Sequence, residues 1–189
     1  MLRSLPFQLG VLFLLSEIIL HRVRRLEPGS GRNADRGSGR LIWGVITPAI
    51  VVAAWPIPMY ATWGYFPLGP AAHAALLALF LGGLAFRWWA VRTLGRFFTV
   101  KVGILEGHEL VGDGPYRWLR HPAYTGVLAQ FLALALSFQQ VLSALLIVAA
   151  VAGVFAYRIV VEERALAEAF GAQWAAHAAT RARLVPGLW

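Results

Sequence analysis

The sequence predicts an all-α integral membrane protein with about five transmembrane helices and an amphipathic cytoplasmic helix near the C-terminus. Its mean hydropathy is +0.63, and 59% of its residues are hydrophobic. Only 14% are charged, whereas a soluble domain typically has about 25%. At 189 residues the chain fits a single membrane domain, because domains usually contain about 100 to 200 residues.

The distribution of charge and the absence of cysteine exclude several kinds of partner and site. The formal net charge is +8, but the positive residues concentrate between apolar segments, as topology signals do. We therefore expect no nucleic-acid partner. The chain contains no cysteine, which excludes a disulfide framework, a thiolate metal site and a cysteine nucleophile.

Three apolar segments lie within residues 1–100 and predict the first three spans. The first runs from Leu5 to Leu20 and is followed by positive residues, which favours a retained span over a cleaved signal peptide. Glu17 lies one turn from its end, where a carboxylate can extend to the interface. The second runs from Leu41 to about Tyr60, and its prolines predict a kink or an early end. The third runs from Ala71 to Val91.

Residues 101–189 contain two further apolar helices and form the predicted catalytic region. The helices run from Ala123 to Ser137 and from Val141 to Tyr157, each near the lower limit of ~17 residues for crossing a membrane. The link between them is short, so we expect a tight antiparallel hairpin. From Ile159 onward, charged and apolar residues mix at helical spacing, which indicates the amphipathic helix.

Counting charges predicts the orientation. With five spans and the N-terminus outside, only Arg3 of the seventeen Lys and Arg residues lies outside and Arg87 lies within a span, which leaves fifteen on one side. The positive-inside rule makes that side cytoplasmic. We therefore expect a protein of the inner or cytoplasmic membrane, with its C-terminus in the cytoplasm.

A polar, turn-rich segment from His108 to Gly126 separates the third and fourth spans. Backbone that leaves the helix at membrane depth is tolerated only where protein or a water-filled cavity satisfies it, so the segment is a candidate pocket. Its Gly-Asp-Gly-Pro run at 112–115 predicts a tight turn. His121 before Pro122 predicts the start of the fourth span. A plain turn between helices stays open as an interpretation.

Two charged residues near the end of the fifth span suggest a polar site. Arg158 and Glu162 are four residues apart and share one helix face. A surface salt bridge is one interpretation. The other is that one side chain binds a cationic cofactor group and the other an anionic substrate group.

Motifs for other sites are absent from the sequence. His108 and His121 lack a clear third ligand, so we predict no metal site. Neither a dinucleotide-binding fingerprint nor a P-loop occurs. The other three histidines have no evident partner and are expected to be interfacial or structural: His21, His73 and His177.

Together these motifs resemble the isoprenylcysteine carboxyl methyltransferase family, including its small prokaryotic members. The resemblance covers roughly Lys101 to Pro186. It rests on His108-Glu109-Leu110-Val111, Gly114-Pro115-Tyr116, Arg120-His121-Pro122-Ala123-Tyr124-Thr125-Gly126, Arg158, Glu162-Glu163 and Phe170-Gly171. These elements are specific for the wider superfamily and much less specific for the substrate.

The resemblance implies a methyltransferase that uses S-adenosyl-L-methionine in a membrane-embedded pocket open to the cytosol. The acceptor would be a lipophilic or prenylated molecule in contact with membrane lipid, methylated at a carboxylate that Arg158 holds. By motif position, the residues that bind the cofactor would be Lys101, His108, Glu109, Leu110, Val111, Tyr116, His121, Pro122, Ala123, Tyr124 and Glu162. Lys101 departs from the eukaryotic members, which have Gln at this position.

Two alternatives stay open from the sequence. The wider superfamily includes reductases that use NADPH on sterols or other isoprenoids, and four arginines are available for a 2′-phosphate: Arg117, Arg120, Arg181 and Arg183. The second alternative is a non-enzymatic membrane protein that binds lipid or a partner helix. The enzyme interpretation requires Tyr116, His121 and Glu162 to face one shared cavity.

Overall fold

The computed structural model describes residues 5–24, 31–33, 37–55, 57, 60–61, 63–99 and 102–187. In chain order the elements are α1 (Leu5–Arg24), β1 (Gly31–Asn33), α2 (Ser38–Leu41), a π-helical turn (Ile42–Ile46), α3 (Thr47–Ala54), α4 (Pro70–Leu94), β2 (Gly103–Leu105), α5 (Pro122–Ser137), α6 (Val141–Phe170) and α7 (Ala172–Ala179). Short 3-10 turns cover Gly95–Phe97 and Gly114–Arg117. The fold is helical, as predicted, with one small antiparallel β1–β2 ribbon that the sequence did not indicate.

Three of the described helices are long and apolar enough to cross a membrane. They cover Leu5–Arg22, Pro70–Phe97 and Val141–Phe170. Two shorter apolar helices, Ile42–Ala54 and Pro122–Ser137, have fewer than the roughly 20 residues that a full crossing needs. The chain is an integral membrane protein, and the number of five spans stays a prediction.

Pro48 explains the irregular second helix. Because Pro48 has no N–H, it cannot bond to the carbonyl group of Gly44 one turn earlier. The π-helical turn over Ile42–Ile46 lies directly before this position, and α3 ends at Ala54. The irregular turn and the early end agree with the kink or early end that the prolines of this segment predicted.

The predicted hairpin between α5 and α6 is present. The link is three residues long, since α5 ends at Ser137 and α6 begins at Val141. The side chain of Gln140 caps α6, because its Oε1 accepts a hydrogen bond from the Ser143 N–H at 2.8 Å. This cap fixes the direction in which α6 returns toward the site.

No new helix begins at Ile159. The chain continues α6 without a break to Phe170, where Gly171 adopts a φ of 51° and ends the helix. The change in composition at Ile159 therefore marks a change in surroundings and not a helix boundary. The short helix α7 follows Gly171.

Two glycines let α4 and α5 cross in close contact. A Cβ atom on Gly83 would lie 2.7 Å from the carbonyl oxygen of Gly126, and one on Gly126 would lie 2.8 Å from the Cβ of Arg87. Small residues at helix crossings in membranes allow such close approach of backbones. The crossing therefore fixes Arg87 beside the first turns of α5.

We expect Gly126→Ala to destabilise the protein by about 1–3 kcal/mol, the usual cost of overpacking a tight contact. Thermal unfolding in detergent, followed by tryptophan fluorescence, would measure this loss. Gly82→Ala is the matched control, because no described residue lies within 4 Å of a Cβ atom at Gly82. Alanine favours a helix over glycine by about 0.5–1 kcal/mol, so the control should be neutral or slightly stabilising. Equal unfolding temperatures for the two variants would contradict the close crossing.

Candidate active site

A cavity of about 1430 Å³, which includes open solvent at its mouth, lies between the loop after α4 and helices α1, α4, α5 and α6. Tyr116, His121 and Glu162 all line it, so the shared cavity that the enzyme interpretation requires is present. Seven more of the residues singled out from the sequence line it as well: His108, Glu109, Leu110, Val111, Ala123, Tyr124 and Arg158. Pro122 is buried at the start of α5 and is not among the lining residues, and Lys101 lies outside the described residues.

The hydroxyl group of Tyr124 connects the two charged residues of α6. It donates a hydrogen bond to Glu162 Oε2 at 2.5 Å and accepts one from Arg158 Nε at 2.9 Å. Arg158 is only 4% exposed. The pair that the sequence placed on one helix face is therefore tied to α5 through a single phenol.

His121 lies at the N-terminal end of α5, directly before Pro122, as the sequence predicted. Its ring stacks on that of Tyr124, with 5.4 Å between the centroids and 7° between the planes. Its Nε2 lies 3.3 Å from Glu163 Oε1. Its other ring nitrogen, Nδ1, is buried and has no hydrogen-bond partner among the described residues.

A C-terminal strap, residues 180–187, runs beside the segment that precedes α5. The Ala182 N–H donates to the Trp118 carbonyl at 3.0 Å, and the Ala182 carbonyl accepts from the Arg120 N–H at 2.8 Å. The His121 N–H donates to the Arg183 carbonyl at 3.1 Å. The strap therefore fixes the backbone from which the His121 side chain extends.

An aromatic cluster forms another part of the cavity wall. The ring of His108 stacks on Phe97, with the centroids 4.8 Å apart, and meets the edge of Phe170 at 5.6 Å. The Leu105 N–H donates to His108 Nδ1 at 3.4 Å. Burial lowers the pKa of His108, and the nearby Glu162 opposes that shift. His108 is therefore a neutral, aromatic surface at neutral pH.

Tyr116 is a buried phenol on the same wall. Burial raises the pKa of Tyr116, and the negative charge of Glu162 raises it further. The Tyr116 hydroxyl therefore keeps its proton. Its backbone is fixed by Arg181 of the strap, whose Nε donates to the Tyr116 carbonyl at 2.7 Å.

Several cavity residues were missed by sequence reasoning. His177, expected to be interfacial or structural, lines the cavity and stacks on Trp174 at 5.7 Å. Phe97 lines it too. Local sequence gives no signal for these residues, because they reach the cavity only when α7 and the loop after α4 fold against α6.

Glu17 does not simply extend to the membrane interface. It forms an ion pair with Arg87 of α4, with side-chain exposures of 13% and 12%, respectively, and Arg87 Nη2 also donates to Glu17 Oε2 at 3.1 Å. The next residues strengthen the same contact, since Trp88 Nε1 donates to Ser16 Oγ at 3.0 Å. Both charged side chains line the cavity.

We expect Arg87→Met to destabilise the protein by about 3–5 kcal/mol, because it leaves the Glu17 carboxylate buried without its partner. The double variant Glu17→Leu/Arg87→Met should recover most of this loss, since apolar residues of similar size often replace a buried ion pair without cost. Chemical unfolding in detergent measures both. A double variant no more stable than the single one would contradict a simple pairing role.

The central part of the chain is similar to a known protein family. A family model, described as the isoprenylcysteine carboxyl methyltransferase (ICMT) family, matches residues 76–168. This range extends from α4 into α6 and contains the Tyr124, Arg158 and Glu162 site. Residues 76–168 are therefore similar to the isoprenylcysteine carboxyl methyltransferase family. The resemblance found in the sequence is thereby confirmed.

Two curated relatives illustrate how far the similarity extends. Protein-S-isoprenylcysteine O-methyltransferase A of Arabidopsis thaliana is 36% identical over 112 residues, which are 58% of this chain and 57% of the relative. The uncharacterized protein YpbQ of Bacillus subtilis is 33% identical over 93 residues, 49% of this chain and 55% of the relative. The chain thus spans about half the length of the curated relatives it matches.

The fold is also similar to a solved structure from the ICMT family. That structure is described as the eukaryotic intramembrane Ras methyltransferase ICMT without a monobody, and the TM-score is 0.57. The alignment has 23% identity and covers 80% of this chain and 51% of the other. At this identity the likeness establishes the fold and not the substrate.

Proposed function

We propose that this protein transfers a methyl group from S-adenosylmethionine to a carboxylate of a lipophilic or prenylated acceptor. One observation carries the proposal: a single cavity contains the Glu162 carboxylate and the Arg158 guanidinium, linked through Tyr124. These are the two charges that a cationic methyl donor and an anionic acceptor need. The family whose model matches residues 76–168 supports the same reaction.

The cavity wall fits the chemical parts of the donor. Glu162, whose side chain is 31% exposed, is a carboxylate that would attract the positive charges of a sulfonium and an ammonium group. The stacked rings of His108 and Phe97 give the kind of flat surface on which a nucleobase stacks. Buried His121 Nδ1 has no hydrogen-bond partner in the part of the chain that the structure describes, which leaves a polar contact for the ligand.

Arg158 would hold the carboxylate of the acceptor. A guanidinium group stays charged and binds carboxylates through paired N–H donors. The bond from Arg158 Nε to Tyr124 fixes the plane of this group. Phe155, whose ring meets that of Tyr124 at 5.2 Å, makes the surroundings apolar, so that fewer water molecules screen the acceptor anion.

The reaction needs positioning more than acid–base chemistry. The bound donor supplies a methyl carbon attached to a positively charged sulfur. An acceptor carboxylate aligned by Arg158 would take this methyl group, with an oxygen–carbon bond replacing the carbon–sulfur bond, whose electron pair would stay on sulfur to give a methyl ester and a thioether. No proton moves, and the residues serve to align the two groups. Arg158 must bind the acceptor no more tightly than the transition state.

We further propose that the mouth of the cavity faces the cytosol. The loop after α4, which borders the cavity, and the C-terminal strap bonded to it carry five arginines: Arg96, Arg117, Arg120, Arg181 and Arg183. Positive residues of this kind stay on the cytoplasmic side. The acceptor, being lipophilic, would reach the cavity from the bilayer.

Calorimetry on the detergent-purified protein tests the proposal. We expect S-adenosylhomocysteine to bind and NADPH not to bind, because Arg120, Arg181 and Arg183 already donate to Glu163 or to backbone carbonyls. A second assay follows transfer of a labelled methyl group from the donor to N-acetyl-S-farnesylcysteine, with N-acetylcysteine as the control that lacks the lipid. Binding of NADPH without S-adenosylhomocysteine would favour a reductase and overturn the proposal.

A further inference from the structure

We propose that Glu163 is a positioning residue that fixes the ring protons of His121, so that His121 Nδ1 accepts a hydrogen bond from an N–H or O–H group of the bound methyl donor. The inference rests on the proposed function for its ligand. Its first half, the link between Glu163 and His121, stands on the geometry of the protein alone.

Glu163 is held as an ionised carboxylate, because two guanidinium groups donate to it. Arg120 Nη1 lies 3.1 Å from Glu163 Oε1, and Arg183 Nε lies 3.1 Å from Oε2. An ionised carboxylate only accepts hydrogen bonds. The contact of 3.3 Å between His121 Nε2 and Glu163 Oε1 therefore requires a proton on Nε2.

This proton assignment decides what the other ring nitrogen can do. In a neutral imidazole one nitrogen donates and the other accepts, so a proton on Nε2 leaves Nδ1 as an acceptor. The side chain of His121 is 1% exposed, and Nδ1 lies 3.8 Å from Glu162 Oε1, which is too far for a hydrogen bond. A buried polar atom without a partner is costly. A donor group of a ligand in the cavity would remove this cost.

The His121 ring has little freedom to turn away from this role. It stacks on Tyr124, and the backbone N–H of His121 is bonded to the strap. A neutral acceptor at this place also suits a positively charged methyl donor, which a second positive charge on the ring would repel. Glu163 is not among the residues that line the cavity, so it acts through His121.

A merely structural role for Glu163 is the competing explanation. Through Arg120 and Arg183, Glu163 joins α6 to the segment before α5 and to the strap. Loss of this cross-link would lower stability whichever ring nitrogen of His121 carried the proton. The two roles are separated by a measurement of the ring nitrogens themselves.

The experiment uses protein with ¹⁵N in the histidine rings, reconstituted in lipid and studied by NMR. Comparison with His121→Gln assigns the His121 signals among the five histidines. We expect Nε2 of the free wild type to be protonated and Nδ1 to be unprotonated, and we expect the Nδ1 signal to move when S-adenosylhomocysteine binds. A doubly protonated ring, or a proton on Nδ1 alone, would overturn the proposal.

Two variants complete the test. In Glu163→Gln the amide can donate as well as accept, so we expect the His121 ring to lose its single tautomer. We also expect the affinity for S-adenosylhomocysteine to fall about tenfold, which corresponds to the loss of one hydrogen bond. Arg183→Gln removes one arm of the cross-link and leaves the carboxylate, so it should keep both the tautomer and the affinity. Equal losses of affinity in both variants with unchanged tautomers would establish the structural role instead.

The outcome also separates this inference from the proposed function. If the wild type does not bind S-adenosylhomocysteine, the proposed function and the ligand half of the inference both fail. The tautomer in the free protein still decides the Glu163 half. If Glu163→Gln does not fold, the wild-type spectrum still decides, because a proton on Nδ1 in the free protein overturns the proposal without any variant.

Discussion

Replacing Glu162 with glutamine is expected to weaken S-adenosylhomocysteine binding by about ten- to a hundredfold, because a hydrogen bond to a charged group contributes about 1.5–3 kcal/mol. The variant keeps the size of the side chain and a hydrogen-bond acceptor for Tyr124, so the loss reports the charge. Calorimetry measures the affinity, and the labelled methyl assay measures turnover.

Glu168→Gln is the matched control for this variant. Glu168 lies on the same helix but is exposed and does not line the cavity, so its replacement removes the same charge without touching the site. We expect unchanged affinity in the control. If Glu162→Gln bound the ligand as tightly as Glu168→Gln, the carboxylate would have no part in holding the methyl donor.

Replacing Arg158 with alanine is expected to reduce kcat by roughly 10²-fold, the cost of misplacing the reacting groups by about 1 Å. Affinity for S-adenosylhomocysteine should change only a few-fold, since the acceptor and not the donor is the partner of Arg158. Arg164→Ala, at an exposed position further along α6, serves as the control and should keep full activity.

Tyr124→Phe tells a direct role of Arg158 from an indirect one. The variant removes the hydroxyl that joins Arg158 to Glu162 while both charged side chains stay in place. If Arg158 acts on the acceptor, Tyr124→Phe should cost much less turnover than Arg158→Ala. Equal losses in turnover and in donor affinity for both variants would mean that Arg158 only holds Tyr124.

The parts of the fold that the sequence predicted are those that local chemistry decides. Pro122 begins α5 because a proline is tolerated in the first turn of a helix. Gly114 adopts a φ of 52° in the predicted turn, where a side chain would be strained. The short link after Ser137 forces α5 and α6 into a hairpin. In each case the deciding residues are neighbours in the chain.

The parts that could not be predicted depend on contacts between distant segments. Glu17 and Arg87 are 70 residues apart, and neither has a local pattern that identifies its partner. The pairing of β1 with β2 likewise joins Arg32 to Ile104. For the site, local reasoning identified the polar segment and the pair on α6, but only the family resemblance related them to a methyl donor.

The helix boundary predicted at Ile159 is absent for a different reason. Composition changes there because one face of α6 leaves apolar surroundings, as exposed Arg164 and Glu168 indicate. The backbone hydrogen bonds of a helix do not depend on that change, and Glu, Arg and Ala all favour helix. The helix therefore continues until Gly171.

The hydrogen bonds of the strap can form only late in the synthesis of the chain. Thr125 of α5 donates to the Leu184 carbonyl at 2.8 Å, as His121 does to that of Arg183. Residues 182–184 are translated after every membrane helix described here, so these bonds form only once the last helix has left the ribosome. A nascent chain halted before residue 182 would contain all of these helices but would lack the bonds that hold His121 and Thr125 beside the cavity.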